Sequence, residues 1–256
     1  MIYQADATVK EKLFPLFADM KDTCILSCLQ GHMGQAWVDH MGHPGAAQII
    51  VGDFVFYAGD TESDAAIALV QHLPAQCLVI PANAAWAKRI EEVHQDNMQK
   101  IQRYAFRKNA ADLAPLHLRR LLRKLPKDFE RRKIDGKIAA MPSLQLISPD
   151  FTGQFESLED YCKRGIGHCI MHQGEVVCAA SSYSIYNGGI EIEIGTARDY
   201  RRKGLAAVAA ASLILDCLEQ GIYPSWDAAN PASAALAQKL GYVPAGAYDA
   251  YEIYWK

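Results

Sequence analysis

Two hydrophobic periods alternate along the chain. Gln48 to Tyr57 is rich in β-branched and aromatic residues and breaks at Gly59-Asp60, which predicts a strand and a turn. Asp64 to Leu73 has helical spacing, with Thr61 or Ser63 as N-cap. Cys77 to Ile80 reads as a short buried strand ending at Pro81, and Ala84 to Asp96 as another helix. This β-α-β-α alternation predicts α/β organisation. Two further helices are expected, over Leu113 to Leu125 and Lys127 to Lys133.

The pattern changes beyond residue 135. Leu144 to Ile147 reads as a strand and Ser157 to Lys163 as a short helix. His168 to His172 and Glu175 to Ile185 flank Gln173-Gly174, a hairpin signal, and Asn187-Gly188-Gly189 turns the chain into Ile190 to Thr196. In that strand Ile190, Ile192 and Ile194 share one face, with Glu191 and Glu193 on the other. A long apolar helix follows from Leu205 to about Gln220, then a strand over Ser225 to Ala228. A helix over Ala232 to Leu240 stops at Gly241, and Tyr248 to Trp255 is a last β-rich segment. The expectation is a mixed α/β structure in two domains, residues 1–135 and 136–256.

Composition narrows the setting. With 256 residues, 50% hydrophobic and 21% charged, the chain is neither disordered nor fibrous. A net charge of -3 leaves no overall basic footprint for nucleic acid or anionic membrane, so neither is expected as a partner. The basic run Arg119, Arg120, Arg123, Lys124, Lys127, Arg131, Arg132 and Lys133 reads as a solvated connecting helix face, with phosphate or acidic-partner binding as the alternative. Seven cysteines without a CxxC pair suggest a reduced cytosolic compartment. Asp6, Lys10, Glu11 and Asp19 come too early for a signal peptide. The longest apolar stretch, Leu205 to Leu215, is about half a membrane span. A cytoplasmic protein is expected.

The segment that carries chemistry is Arg201-Arg202-Lys203-Gly204-Leu205-Ala206, between a strand and a long helix. The first turn of that helix has backbone N–H groups without intrahelical partners, and the helix dipole adds positive potential. Gly204 and Ala206 keep side chains clear, so a diphosphate can approach the backbone beside three full positive charges. The loop is neither a Walker A motif nor a dinucleotide-binding Gly-x-Gly-x-x-Gly. About thirty residues on comes Asn230-Pro231-Ala232-Ser233, leading to Lys239-Leu240-Gly241-Tyr242.

Together these two runs resemble the GNAT acetyltransferase superfamily, in its Arg/Gln-x-x-Gly-x-Gly/Ala loop and its later Asn-containing run. The phrasing Tyr200 to Ala206 with Trp226 to Asn230 is most similar to a small bacterial subgroup related to zwittermicin A resistance acetyltransferases. The resemblance covers residues 144–256. It implies acetyl-CoA as co-substrate, with Arg201, Arg202, Lys203, Gly204, Leu205 and Ala206 at the pyrophosphate. Ile194 to Thr196 would pair with the pantetheine through main-chain groups. Asn230 would reach the thioester region, and Ser233 the CoA phosphates. From the residues alone, Asn230-Pro231 also reads as a helix-starting turn and Ser233 as a first-turn residue.

Transfer to an amine needs a neutral nitrogen, hence a base, and a donor for the thioester oxygen. Glu191 and Glu193 stand on the strand before the loop, where the family often keeps its base; the alternatives are direct binding of a cationic substrate and a solvated strand face. The resemblance also implies a general-acid Tyr four residues before Gly241, but that position is Ala237. Tyr242, Tyr183 and Tyr186 are the candidate substitutes, unless the thiolate leaves unassisted. His32, His40 and His43 near Asp39, and Cys169 between His168 and His172, lack a complete ligand set, so no metal is expected. Cys178 and Cys217 read as core residues.

The expected activity is N-acetylation of a small-molecule primary amine by direct attack in a ternary complex. Acetylation of a protein N-terminus or lysine, and a non-catalytic acyl-CoA-binding module, are the alternatives. The family resemblance allows a homodimer, with no interface signature in the residues. Finally, Phe54 to Glu91 and Ile192 to Leu240 follow the same strand, loop, helix, strand, Asn, helix order. The first half is therefore expected to be a degenerate copy of the second. Asp60, Glu62 and Asp64 stand at its equivalent loop, where they would repel a diphosphate.

Overall fold

The structure is a computed structural model and describes residues 1–254. Two compact units form, one from Met1–Arg103 with the chain from Ala247 onward, the other from Tyr104–Gly246. The division expected at residue 135 falls inside the second unit. The reason is that two long strands, Met98–Phe106 and Pro244–Tyr254, each start in one unit and end in the other.

The first unit begins with β1 (Tyr3–Gln4), α1 (Ala7–Leu13), α2 (Thr23–Leu29) and the antiparallel run β2 (Gln35–Val38), β3 (Ala46–Val51) and β4 (Phe54–Gly59). It continues with α3 (Asp64–Gln71), β5 (Gln76–Pro81), α4 (Ala84–His94) and β6 (Met98–Phe106). Ser63, not Thr61, caps α3 by accepting from Ala66 N–H. Asn83 caps α4 by accepting from the Ala85 and Trp86 N–H groups. The core lies between the sheet and α3 and α4, where Tyr57, Leu69, Val79, Trp86 and Ile90 are buried. Each such side chain contributes about 1.5–3 kcal/mol by leaving water. The Trp86 indole N–H also donates to Gly59 O at 3.0 Å, so it is buried with its polar atom satisfied.

The second unit contains α5 (Pro115–Leu122), β7 (Glu130–Lys133), α6 (Gly136–Ala139), α7 (Pro142–Ile147) and α8 (Leu158–Arg164). The antiparallel run β8 (Gly167–His172), β9 (Glu175–Tyr186) and β10 (Gly189–Thr196) follows. Then come α9 (Leu205–Glu219), β11 (Tyr223–Ser225), β12 (Asp227–Ala228), α10 (Pro231–Leu240) and β13 (Pro244–Tyr254). The five-stranded sheet has the order β11-β10-β9-β8-β7. In the first unit the order is β1-β2-β3-β4-β5-β13-β6. Both units thus run strand, helices, three antiparallel strands, helix, parallel strand, helix, the order expected of two copies of one fold.

Four predicted elements differ. Residues 130–133 form an edge strand instead of a helix, paired antiparallel with Met171 to His168; the neighbouring strand overrides the poor strand propensity of Arg and Lys. Leu144 to Ile147 is helical, because Pro142 occupies the first turn and a four-residue stretch cannot declare a period. Ser225 to Ala228 splits into two strands at Trp226. The last strand starts at Pro244, earlier than expected, and the predicted end at Trp255 lies outside the described residues.

Candidate active site in the second unit

The split at Trp226 opens the sheet. β10 and β11 run parallel for three pairs only, Gly189 with Tyr223, Ile190 with Pro224 and Glu191 with Ser225. Beyond Trp226, β12 turns away to pair with Ala105 and Tyr104 of β6. From Ile192 to Thr196, β10 therefore keeps β9 on one side and a fork on the other. The fork opens beside a register slip, where Tyr183 is the extra residue of β9 between the partners of Glu191 and Ile192. Such a bulge increases local twist. Trp226 is anchored at the branch point by donating its indole N–H to Ser233 Oγ at 3.2 Å and packing on Tyr242. An open strand edge of this kind presents main-chain donors and acceptors to an extended ligand.

In the first unit the matching place is closed. β4 and β5 pair from Phe54 with Leu78 to Tyr57 with Pro81, and Ala82 N–H donates onward to Tyr57 O at 3.1 Å. The loop that follows is acidic, and Arg89 donates twice to Thr61 O there.

The open fork leads to the loop singled out in the sequence. Arg202 (φ 62°) and Gly204 (φ 80°) are both left-handed, and Gly204 is the N-cap of α9 with no side-chain cap. A Cβ at Gly204 would meet nothing within 4 Å. The first N–H groups of a 15-residue helix thus open onto space beside Arg201, Arg202 and Lys203, and a diphosphate fits that cradle. Arg201 Nε donates to Thr196 O at 3.2 Å, tying the loop to the end of β10. Lys203 lies over the Tyr200 ring, whose hydroxyl meets His172 Nδ1 at 3.0 Å. Phe129 stacks on His172, and Asp128 lies 3.4 Å from His172 Nε2. No spacing in the sequence announces this supporting cluster.

Ile194 and Thr196 are half-buried on the open stretch of β10, and Leu205 and Ala206 form the first turn of α9. Asn230 caps α10 by accepting from Ser233 N–H at 2.9 Å, while Ser233 Oγ takes the Trp226 indole proton. Both side chains therefore have local structural tasks. Ala237 is fully buried, which leaves no room for a tyrosine there.

The glutamates face away from α9. Ile194 is in register with Ala180 and through it with His168, whose Nε2 meets Asp216 of α9 at 2.9 Å, so even-numbered β10 residues face that helix. A Cβ at Gly195 would strike Ile147 and Phe151, so the odd-numbered residues face α7 and the turn after it. Glu191, at the fork, is 6% exposed and Glu193 is half-buried. Burial first, and then the Glu191 charge among others, raises the hydroxyl pKa of Tyr186, Tyr223 and Tyr242. Tyr223 is pushed up to about 12 and donates to Arg107 O at 3.1 Å. Tyr242 is buried and donates to Pro224 O at 2.6 Å, so its proton is held by the backbone instead of facing the fork. Among the described residues no group of three His, Cys, Asp or Glu side chains is placed to hold a metal ion, and no helix is long and apolar enough to cross a membrane.

Known proteins share this fold. A GCN5-related N-acetyltransferase-like protein from Streptococcus suis 89/1591 is 38% identical in sequence and superposes with a TM-score of 0.89, over 96% of this chain and 99% of that one. A tandem GNAT protein from the clavulanic acid biosynthesis pathway shares the fold at 10% identity, with a TM-score of 0.55 over 98% and 97% of the two chains. An uncharacterized N-acetyltransferase of Bacillus subtilis (strain 168), YdfB, is 30% identical over 168 residues, which are 65% of this chain and 62% of that protein. The GNAT acetyltransferase family model matches residues 14–251 and so runs through both units. The chain belongs to the GNAT acetyltransferase family.

Proposed function

We propose that the chain transfers the acetyl group of acetyl-CoA to the primary amine of a small molecule, by direct attack in a ternary complex. The observation that carries this reading is the fork, open in the second unit and closed in the first, which ends at an uncapped helix N-terminus. Bound acetyl-CoA supplies an acetyl group already activated as a thioester. The N–H groups at the start of α9, with Arg201, Arg202 and Lys203, would hold its pyrophosphate. The stretch of β10 beyond its last pair with β11 would align the pantetheine arm and offer backbone N–H donors to the thioester oxygen.

Glu191 is the base in this reading. An ammonium has no lone pair, so the acceptor must lose a proton before it attacks, and Glu191 stands where β10 leaves β11. Glu193, two residues further along the same face, borders the acceptor. Tyr242 is committed to Pro224 O and Ala237 occupies the usual position of the acid, and in this reading the departing thiolate takes its proton from solvent. The likeness to zwittermicin A resistance enzymes suggests an antibiotic-like or metabolite amine. A cytoplasmic location fits a substrate pair of this kind.

The test is release of CoA thiol from acetyl-CoA across a panel of small amines, with the N-acetyl product identified by mass spectrometry. Thiol release matched mole for mole by an acetylated amine is the expected result. Tight acetyl-CoA binding with no product from any amine would replace the enzyme reading with that of an acyl-CoA-binding module.

A further inference from the structure

Four polar side chains share the Glu191 face of the fork. Tyr223 and Ser225 stand opposite Gly189 and Glu191 in a parallel pair, and paired residues project to the same side of a sheet. Tyr186 folds over Gly189, where a Cβ would fall 2.1 Å from its hydroxyl oxygen. Lys108, in the loop after β6, completes the group by donating from Nζ to Ser225 Oγ at 2.6 Å.

Lys108 is unlike the other lysines of the unit. Ser225 is fully buried, so the ammonium is fixed at its tip by a core residue, while the rest of the side chain stays exposed. Tying a flexible lysine to a core serine costs side-chain entropy, and holding the loop would not require a charge. What the charge adds is a positive group beside a negative one. Glu191 and Ser225 lie on neighbouring strands, about 4.8 Å apart, and Lys108 is one hydrogen bond further. A small molecule that carries both an amine and a carboxylate can place one at each of these opposite charges.

We propose that the acceptor is an amino acid or a close aminocarboxylate, its amine facing Glu191 and its carboxylate held by Lys108. This rests on the transfer reading of the same fork. The amine nitrogen bonds to the acetyl carbonyl carbon as that carbon's bond to sulfur breaks. The amine proton passes to Glu191, and CoA leaves as a thiol after taking a proton from solvent. The carboxylate takes no part in bond making. Lys108 selects the substrate, and Tyr186 and Tyr223 lie on the same face of the sheet as Glu191.

The experiment compares amino acids with their own decarboxylated amines and carboxamides, in the wild type, Lys108→Gln and Lys108→Arg. In the wild type, kcat/KM for the amino acid should exceed that for its decarboxylated amine by about tenfold or more, mainly through KM, as expected for a charge-assisted hydrogen bond. Lys108→Gln should erase that preference and leave the decarboxylated amine within about twofold, while Lys108→Arg should retain most of it. Equal use of amines with and without a carboxylate, or an equal loss for both in Lys108→Gln, would overturn the proposal. Should no amine release thiol, the transfer reading itself fails. Titration calorimetry of amino acids onto the protein with CoA present then decides the charge-reading part: binding lost in Lys108→Gln upholds it, and no binding by the wild type overturns it.

Discussion

Replacing Glu191 by Gln removes a charge while keeping the size and shape of a buried side chain. Glu191 is 6% exposed where β10 parts from β11, so the change leaves no cavity and no contact is lost through volume. The expected loss is that of a positioned base, about 10²–10⁴ in kcat, or roughly 3–5 kcal/mol of barrier. Acetyl-CoA affinity should stay within about twofold, because the pyrophosphate cradle lies past the far end of β10. Steady-state thiol release gives the first quantity and calorimetry the second. A further reading comes from the tyrosines. The Glu191 charge helps to raise Tyr223, which burial and its surroundings push up to about 12, so tyrosinate absorbance should begin at lower pH in Glu191→Gln. A variant that kept more than half of the wild-type kcat would refute Glu191 as the base. Glu193→Gln, which should cost less than about tenfold, would then become the decisive substitution.

Tyr242→Phe removes the donor to Pro224 O and should cost about 1–3 kcal/mol in urea unfolding, with kcat within about twofold; a large fall in kcat at unchanged stability would restore Tyr242 as an acid. Trp86→Ala should destabilise the first unit by about 3–5 kcal/mol, and a loss below about 1 kcal/mol would contradict its place in that core. His168 titrates below its ordinary value because burial outweighs the neighbouring Asp216. The stability this confers is complete above about pH 6.5 and declines as pH falls from there towards the folded-state value. His168→Gln should flatten that decline in denaturation midpoints between about pH 7.5 and 5.5, and an unchanged slope would place the titrating group elsewhere.

Local chemistry made some of this protein legible in its residues, and long-range pairing hid the rest. Hairpin turns at Gln173-Gly174 and Asn187-Gly188 need left-handed residues, and the structure places Gln173, Gly174 and Gly188 there. The start of α3 was likewise readable as Thr61 or Ser63, since a cap is a contact between near neighbours, and the structure chooses Ser63. The strand at residues 130–133 was not, because β8 and not local propensity makes it a strand. Nor could alternation along β10 separate a solvated Glu191 from a buried one, which depends on what covers its face. Lys108 is 117 residues from Ser225 in the chain, and His172 is 28 from Tyr200; no local spacing can report such pairs. The likeness of the two halves was visible, but not the partners of the long strands, because a strand pattern carries no statement of its partner.

The central claim is that the fork and the start of α9 bind acetyl-CoA. It is tested most directly by titrating acetyl-CoA into the wild type, Gly204→Ala and Gly204→Glu, with each fold checked by circular dichroism. At φ 80° any side chain adds strain of about 1–2 kcal/mol, so Gly204→Ala isolates that cost, and Gly204→Glu adds a negative charge in the cradle. Micromolar binding by the wild type is expected, with modest weakening in Gly204→Ala and a loss of about 100-fold or more in Gly204→Glu. No binding by the wild type, or equal binding by Gly204→Glu, would contradict it.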